Sequence, residues 1–314
     1  MRKNQTGTPA LQETHSDDEQ IRKLNENFPC YTIHHTSILD DENQNAHARK
    51  GVAIIINKNQ LPLGGSTFTE IIPGRALLGE IPWRVNLTLN VLAIYAPPDP
   101  DENSEFWKQL IETLQEKEIT RIDIMLGDMN FVEDSIDRWP HREVPQRATE
   151  AMLELRIRYS LDDGWRRRNP PPARANTYTQ SANQGGGASR IDRIYCTDEI
   201  YEQSTRWEIA RIDNIANLDH FAVSTTITDD KAPYIGPGRW RFPENLLYDK
   251  NLWREIDRLG HKLMQDIEQL EEMDTHLIQT FWKNFTSDIK QIAQKLDKIK
   301  KGKLRSAITS LERD

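Results

Sequence analysis

Cysteine is nearly absent: Cys30 and Cys196 are the two in 314 residues, and neither lies in the Cys/His spacing of a zinc site. That leaves no disulfide framework and points to a reducing compartment rather than to secretion. Long apolar runs are missing too. No stretch of 18 apolar residues occurs, which excludes a membrane-spanning helix, and the polar segment from Met1 to Ser16 has no apolar core of a secretory leader. Nor is there an excess of positive charge, since 41 lysines and arginines face 49 acids for a net charge of -8. This balance speaks mildly against non-specific nucleic-acid binding, which depends on cations that neutralise phosphates. It leaves room for a nuclease, because a metal site is itself built from carboxylates. Arginines recur at Arg147, Arg156, Arg158, Arg166 to Arg168, Arg174, Arg190 and Arg193; a solvated basic face and a nucleic-acid groove both account for them.

The hydrophobic content of 37% suffices for a large α/β domain, or a domain with an appendage. A mean hydropathy of -0.73 predicts long polar loops around it. Short runs rich in Val, Ile and Leu, bounded by Gly, Pro, Asn or Asp, predict strands at 31–35, 51–57, 76–81, 87–95, 122–126, 191–196 and 222–228. Helical periodicity predicts helices at 17–27, 104–117 and 146–159, the second capped by Ser104. Between two strong motifs, 169–187 carries three consecutive prolines and three consecutive glycines and reads as a long irregular loop. The character changes after Asp229. The pattern divides the chain into an α/β domain at 1–229, a Pro/Gly-rich linker at 230–244 and a helical segment at 245–314. In that last segment Ile256, Leu259, Leu263 and Ile267, then Phe281, Phe285, Ile289, Ile292 and Leu296, recur at three- and four-residue spacing. A helical hairpin and a coiled-coil dimer both satisfy such a stripe, so self-association through these helices is one expectation.

Three stretches carry chemistry: Gly127-Asp128-Met129-Asn130, Ser189-Arg190-Ile191-Asp192-Arg193-Ile194-Tyr195, and Leu218-Asp219-His220-Phe221. Each joins an apolar, strand-like run and places acids, an amide or an imidazole beside it. Metal-assisted hydrolysis of a phosphodiester needs those groups, because a bound Mg²⁺ acts as a Lewis acid and lowers the pKa of water. Magnesium takes one or two hard carboxylates and keeps several waters. Asp128 and Asn130, two apart in an extended segment, share one side, where Asp128 orients or deprotonates the attacking water and Asn130 bonds a phosphate oxygen. A strand-ending turn accounts for the same residues. His220 serves as an imidazolium or as a general base, and Asp192 is the natural carboxylate to orient it. Glu13 reads as a strand-end metal ligand, and Tyr95 as a hydroxyl aimed at phosphate or as a core residue. His34, His35, His47 and His141 read as structural or surface residues.

These residues give the chain a resemblance to the endonuclease/exonuclease/phosphatase superfamily, and within it to the endonuclease domain of LINE-type (non-LTR) retrotransposons. The resemblance rests on Leu11-Gln12-Glu13-Thr14-His15, Tyr95-Ala96-Pro97, the Gly127 to Asn130 stretch followed by Asp134 to Pro140, Leu161 to Arg166, Asn176-Thr177-Tyr178-Thr179, the Ser189 to Tyr195 block and Asp219-His220. It implies a four-layered α/β sandwich of the DNase I type followed by a C-terminal helical segment. It implies Mg²⁺ or Mn²⁺ held by Glu13 and Asp219, and phosphate contacts from Tyr95 and Asn130. Asp128 would position the water, and Asp192 would orient His220. Thr177, Ser189 and Arg190 would lie near the DNA backbone or a flipped-out nucleotide. The implied reaction is nicking of DNA to leave a 3′-hydroxyl, inside the cell and in the nucleus.

Two departures stand out. Relatives carry an Asn-bearing strand well ahead of the Glu, whereas twelve residues precede Glu13 here, with Asn4 too near to serve. The chain is therefore expected to lack that first strand, which would open a sheet edge and remove one active-site amide. Leu218 stands where Ser commonly precedes Asp-His. Two other functions meet the same residues. One is a catalytically impaired retroelement product that only binds nucleic acid or self-associates. The other is a phosphatase of lipids or small phosphates on the same fold.

Overall fold

The computed structural model describes residues 7–38, 49–61, 65–84, 87–144, 146–180, 185–212, 218–228, 242–270 and 274–311. Asn4 and most of the expected linker fall outside them. The chain forms two compact units, Met1–Ala232 and Pro233–Asp314.

The first unit is built on a six-stranded sheet. Its strands are β4 (Thr67–Ile72), β5 (Ala76–Arg84), β6 (Leu87–Tyr95), β7 (Ile124–Asp128), β9 (Asp162–Asp163) and β12 (Asp192–Cys196), in the order β4-β5-β6-β7-β12-β9. Neighbours are antiparallel except β6 and β7, which run parallel because α2 (Pro100–Glu116) crosses between them. A second sheet has the order β1-β3-β2, from β1 (Ala10–Gln12), β2 (Tyr31–Ile38) and β3 (Arg49–Asn57).

Both faces of the large sheet are covered, so β6 reads as a nearly continuous apolar run rather than an alternating one. On one face Trp107, Leu110 and Leu114 of α2, with Met152 and Leu155 of α3 (Gln146–Tyr159), pack on Leu78, Leu92, Ile94 and Met125. On the other, Val52 and Ile54 of β3 meet Leu77, Ala93 and Tyr95, while Ile56 meets Ile81, Val91 and Ile124. The helix α1 (Asp18–Asn27) lies outside β2. Helix, sheet, sheet and helix make the four layers of the expected α/β sandwich.

Smaller elements surround this frame. A three-stranded sheet β10-β11-β8 joins β8 (Arg138–Trp139), β10 (Tyr178–Thr179) and β11 (Ala188–Ser189). The short helices α4 (Gly164–Arg168) and α5 (Asp198–Glu202) flank β12, and β13 (Ser204–Ala210) pairs with β14 (Ala222–Ile227).

Several elements differ from expectation. Helix α2 begins four residues before Ser104, with Pro100 at its first position and Asp99 as cap, its carboxylate accepting from the amides of Asp101 and Glu102. Ser104 is instead buried inside the helix. Strands β4 and β13 were not expected, and part of the expected loop at 169–187 is strand β10.

In the second unit α6 (Lys250–Glu268) and α7 (Thr275–Leu311) fold back on each other. Leu252 and Ile256 meet Ile292, Ala293 and Leu296, and Asp249 pairs with Lys300 at 2.6 Å. The hairpin thus covers part of the apolar stripe within one chain.

Candidate active site

Register places three of the expected residues in one row. Tyr95 ends β6 opposite Asp128, which ends β7, and Asp128 stands opposite Asp192, the first residue of β12. Residues paired in register point to the same side of a sheet, so two carboxylates face each other where β7 ends and β12 begins. The turn after Asp128 depends on Gly127. Its φ is +140°, and a Cβ there would lie 1.9 Å from the Ile94 carbonyl oxygen. Beyond it the Asn130 amide N–H donates to Asp128 Oδ1 at 2.8 Å, and Asn130 Nδ2 donates to the Ala96 carbonyl at 2.8 Å. One N–H of the Asn130 side chain is left for a ligand.

His220 comes from the segment before β14 and is tied to the small sheet. Phe221 N–H donates to the Thr177 carbonyl at 2.7 Å, Thr179 N–H to the Asp219 carbonyl at 3.0 Å, and Tyr178 bridges His220. The imidazole Nδ1 reaches the Asp192 carboxylate at 2.9 and 3.1 Å. Burial disfavours its positive charge, but the hydrogen bond and charge of Asp192, aided by Asp128 and Asp219, prevail and raise its pKa to about 9. Asp128 is pushed the other way from an ordinary carboxylate. Burial first, and then the charge of Asp192, raise it to about 7.

Glu13, Asp128, Asn130, Ser189, Asp219 and His220 line one cleft of about 400 Å³. Asp192 and Tyr95 stand behind, bonded to members of it. The Tyr95 hydroxyl donates to Glu13 Oε1 at 2.5 Å, while Arg75 packs over the Tyr95 ring. In this structure the Tyr95 proton goes to Glu13, so the hydroxyl orients that carboxylate.

Two of the expected substrate contacts are almost wholly buried instead. Arg190 is 1% exposed, and its guanidinium is consumed by Asp137 at 2.8 and 3.0 Å and by Asp163 at 2.7 Å. All three of its nitrogens are turned to carboxylates, and at that burial none is open to DNA. Thr177 is wholly buried, and its hydroxyl accepts from the amides of Ile191 and Asp192 at 3.0 and 2.9 Å. It sets the start of β12, and with it the aim of Asp192, instead of touching substrate. Ser189 does face the cleft.

Arg190 belongs to a buried ionic cluster. Asp137 also accepts from Arg193 at 3.0 Å and from Arg166, while Arg193 reaches Asp163 at 3.0 Å and Glu133 at 2.8 Å. Arg156 bonds Glu133 and Asp162. Four of the arginines that suggested a basic groove, Arg156, Arg166, Arg190 and Arg193, therefore brace the fold. The cleft wall is instead made by residues not singled out as substrate contacts: Arg138, Trp139, Arg142 and Tyr178. Arg138 and Trp139 lie in the Asp134 to Pro140 stretch, but nothing in the sequence says which arginine is neutralised.

Among the described residues, Asp128, Asp192 and His220 are the group whose ligand atoms all lie within 4.8 Å of one another. The donor set around them suits a hard divalent cation. A buried carboxylate with a raised pKa, facing a second one and near Glu13, is excess negative charge that such an ion would balance. Nδ1 of His220 is already occupied by Asp192, which fits a catalytic dyad better than a metal cage.

Comparison with known proteins bears on the family and the fold. The endonuclease/exonuclease/phosphatase family pattern matches residues 10–252. An uncharacterized 149 kDa protein of transposon TX1 from Xenopus laevis is 30% identical over 195 residues. That match takes in 60% of this chain but 14% of the relative, so the chain spans a small part of that protein's length. Among solved structures, an AP endonuclease from Archaeoglobus fulgidus superposes with a TM-score of 0.54 at 19% identity, over 72% of this chain and 90% of that one. The 3′ phosphatase NExo from Neisseria, bound to a product DNA hairpin, gives 0.55 at 15% identity, over 72% and 91%. At such identities the likeness speaks for the fold.

Proposed function

The chain belongs to the endonuclease/exonuclease/phosphatase family, and on that premise we propose that it is a metal-dependent DNA endonuclease of retrotransposon origin, cutting one strand to leave a 3′-hydroxyl. The observation that carries this reading is the meeting of Asp128 with the Asp192–His220 dyad in one cleft. The transposon relative favours DNA as substrate over lipids or small phosphates. Such a substrate would place the protein in the nucleus.

Each residue has a role that its surroundings support. Glu13, oriented by Tyr95, and Asp219 would hold Mg²⁺ or Mn²⁺, which when bound supplies Lewis acidity toward the phosphate. Asp128 takes a proton from water as its oxygen attacks phosphorus in line with the 3′ oxygen. Burial raises the proton affinity of Asp128 above that of an ordinary carboxylate, the direction a base for that step needs. As the P–O3′ bond breaks, the 3′ oxygen leaves and takes up a proton, and the 5′ side keeps the phosphate. The imidazolium of His220, held charged by Asp192, faces the negative charge gathering on the phosphoryl oxygens. The free N–H of Asn130 binds one of those oxygens.

The test is conversion of supercoiled plasmid to the open circle. The circle should form with Mg²⁺, fail in EDTA, and carry ends that a DNA polymerase extends. Nicking equal in EDTA and Mg²⁺, or ends that no polymerase extends, would refute the proposal.

A further inference from the structure

Arginines near the cleft fall into two sets. Arg156, Arg166, Arg190 and Arg193 are spent on carboxylates. Arg138 and Arg142 line the cleft with no ion pair of their own among the described residues. Burial, and then the charge of Arg142, lower the affinity of Arg138 for its proton. Two like charges held close without a counter-ion are relieved by an anion.

Register gives Arg138 a fixed place relative to the chemistry. Across the small sheet Arg138 stands opposite Ser189, Ser189 opposite Tyr178, and Tyr178 opposite His220. At about 4.8 Å per strand the row carries Arg138 roughly 14 Å from the dyad. That is about four nucleotides at the rise of B-form DNA, ~3.4 Å each. Next to Arg138, Trp139 is 59% exposed, opposite the small Ala188, and steadied by a T-shaped contact with His141 at 5.9 Å. Trp139 follows Arg138 on the strand, so their side chains leave it on opposite sides, yet both line the one cleft with Arg142; the cleft thus holds a stacking surface and two guanidiniums that have no carboxylate partner among the described residues.

In continuous duplex the base faces are taken by neighbouring bases and only their edges are open to a protein. An indole finds a free base face where a base has left the stack. We propose that Trp139 stacks on an unpaired nucleobase while Arg138 and Arg142 hold the adjoining backbone phosphate, so that locally unpaired DNA is the preferred substrate. This site rests on the DNA-hydrolase reading above and adds to it what the enzyme selects.

The test is fluorescence anisotropy with the full chain in EDTA, where no turnover occurs. Two labelled hairpins are compared, one fully paired and one with a two-nucleotide bulge. The wild type should bind the bulged hairpin more tightly. Trp139→Ala should weaken that binding about tenfold, which is the scale of one lost base–aromatic stack, and leave the paired hairpin within about twofold. Trp139→Phe should keep most of the preference. Arg142→Ala should weaken both hairpins alike and flatten the salt dependence by about one phosphate contact. Equal binding of both hairpins by the wild type, or an unchanged preference in Trp139→Ala, would overturn the inference. Plasmid nicking by the same preparation separates the two readings. With nicking intact, such a result removes only the Trp139 site; with neither nicking nor binding, both readings fall.

Discussion

Asp128 and Asp192 stand directly opposite each other on neighbouring antiparallel strands, two carboxylates in register at one end of a buried sheet. Like charges so placed repel, and the structure answers on one side with the His220 imidazole, 2.9 Å from Asp192. Asp128, 5% exposed, is left as the carboxylate that holds a proton into the neutral range.

The imidazole of His220 should therefore titrate late. In metal-free protein, NMR of the labelled ring should give a pKa near 9. In Asp192→Asn the value should fall below that, because burial then acts without the carboxylate that opposed it. An unshifted titration in the variant would show that the two side chains are not paired in solution.

Acid should loosen the ionic cluster only after most ordinary surface carboxylates have taken up their protons. Asp137 and Asp163 are both held below the ordinary carboxylate value; burial works against this, and the guanidiniums of Arg190 and Arg193 outweigh it. A pKa lower in the folded state means a contribution present above the unfolded value of about 3.9 and lost as pH falls through the folded one. Urea midpoints should thus be level above about pH 5 and drop below about pH 4. Asp137→Asn leaves three arginines short of a partner and should cost about 3–5 kcal/mol at neutral pH. A loss under about 1 kcal/mol would contradict the bracing role.

Gly127 should admit no side chain. Gly127→Ala adds a left-handed strain and drives a methyl into the Ile94 carbonyl, a cost on the order of 3 kcal/mol or more. Equilibrium unfolding measures this, and wild-type stability in the variant would mean that the β7 turn is built differently.

Local signals carried much of this architecture. Strand β6 and helix α3 have their expected bounds because one is an apolar run and the other a helical stripe, each with clear punctuation at both ends. The start of α2 was misplaced because Ser104 resembles a cap, although Pro100 after Asp99 is the stronger start signal. The meeting of Asp192 with His220 follows from alternation along one strand and a carboxylate's usual service to an imidazole. Arg190 shows where such reasoning stops. Its partners Asp137 and Asp163 lie 53 and 27 residues away, so nothing near it in the chain tells a buried brace from a DNA contact. Tyr95 is similar, its proton taken by a carboxylate 82 residues earlier.

The most direct test is the rate of Mg²⁺-dependent plasmid nicking by Asp128→Ala and His220→Ala, each purified beside the wild type and checked for folding by circular dichroism. Both should fall by roughly 10²–10⁴-fold, the usual contribution of a positioned acid or base. Nicking at the wild-type rate in either variant would contradict the placement of the chemistry in this cleft.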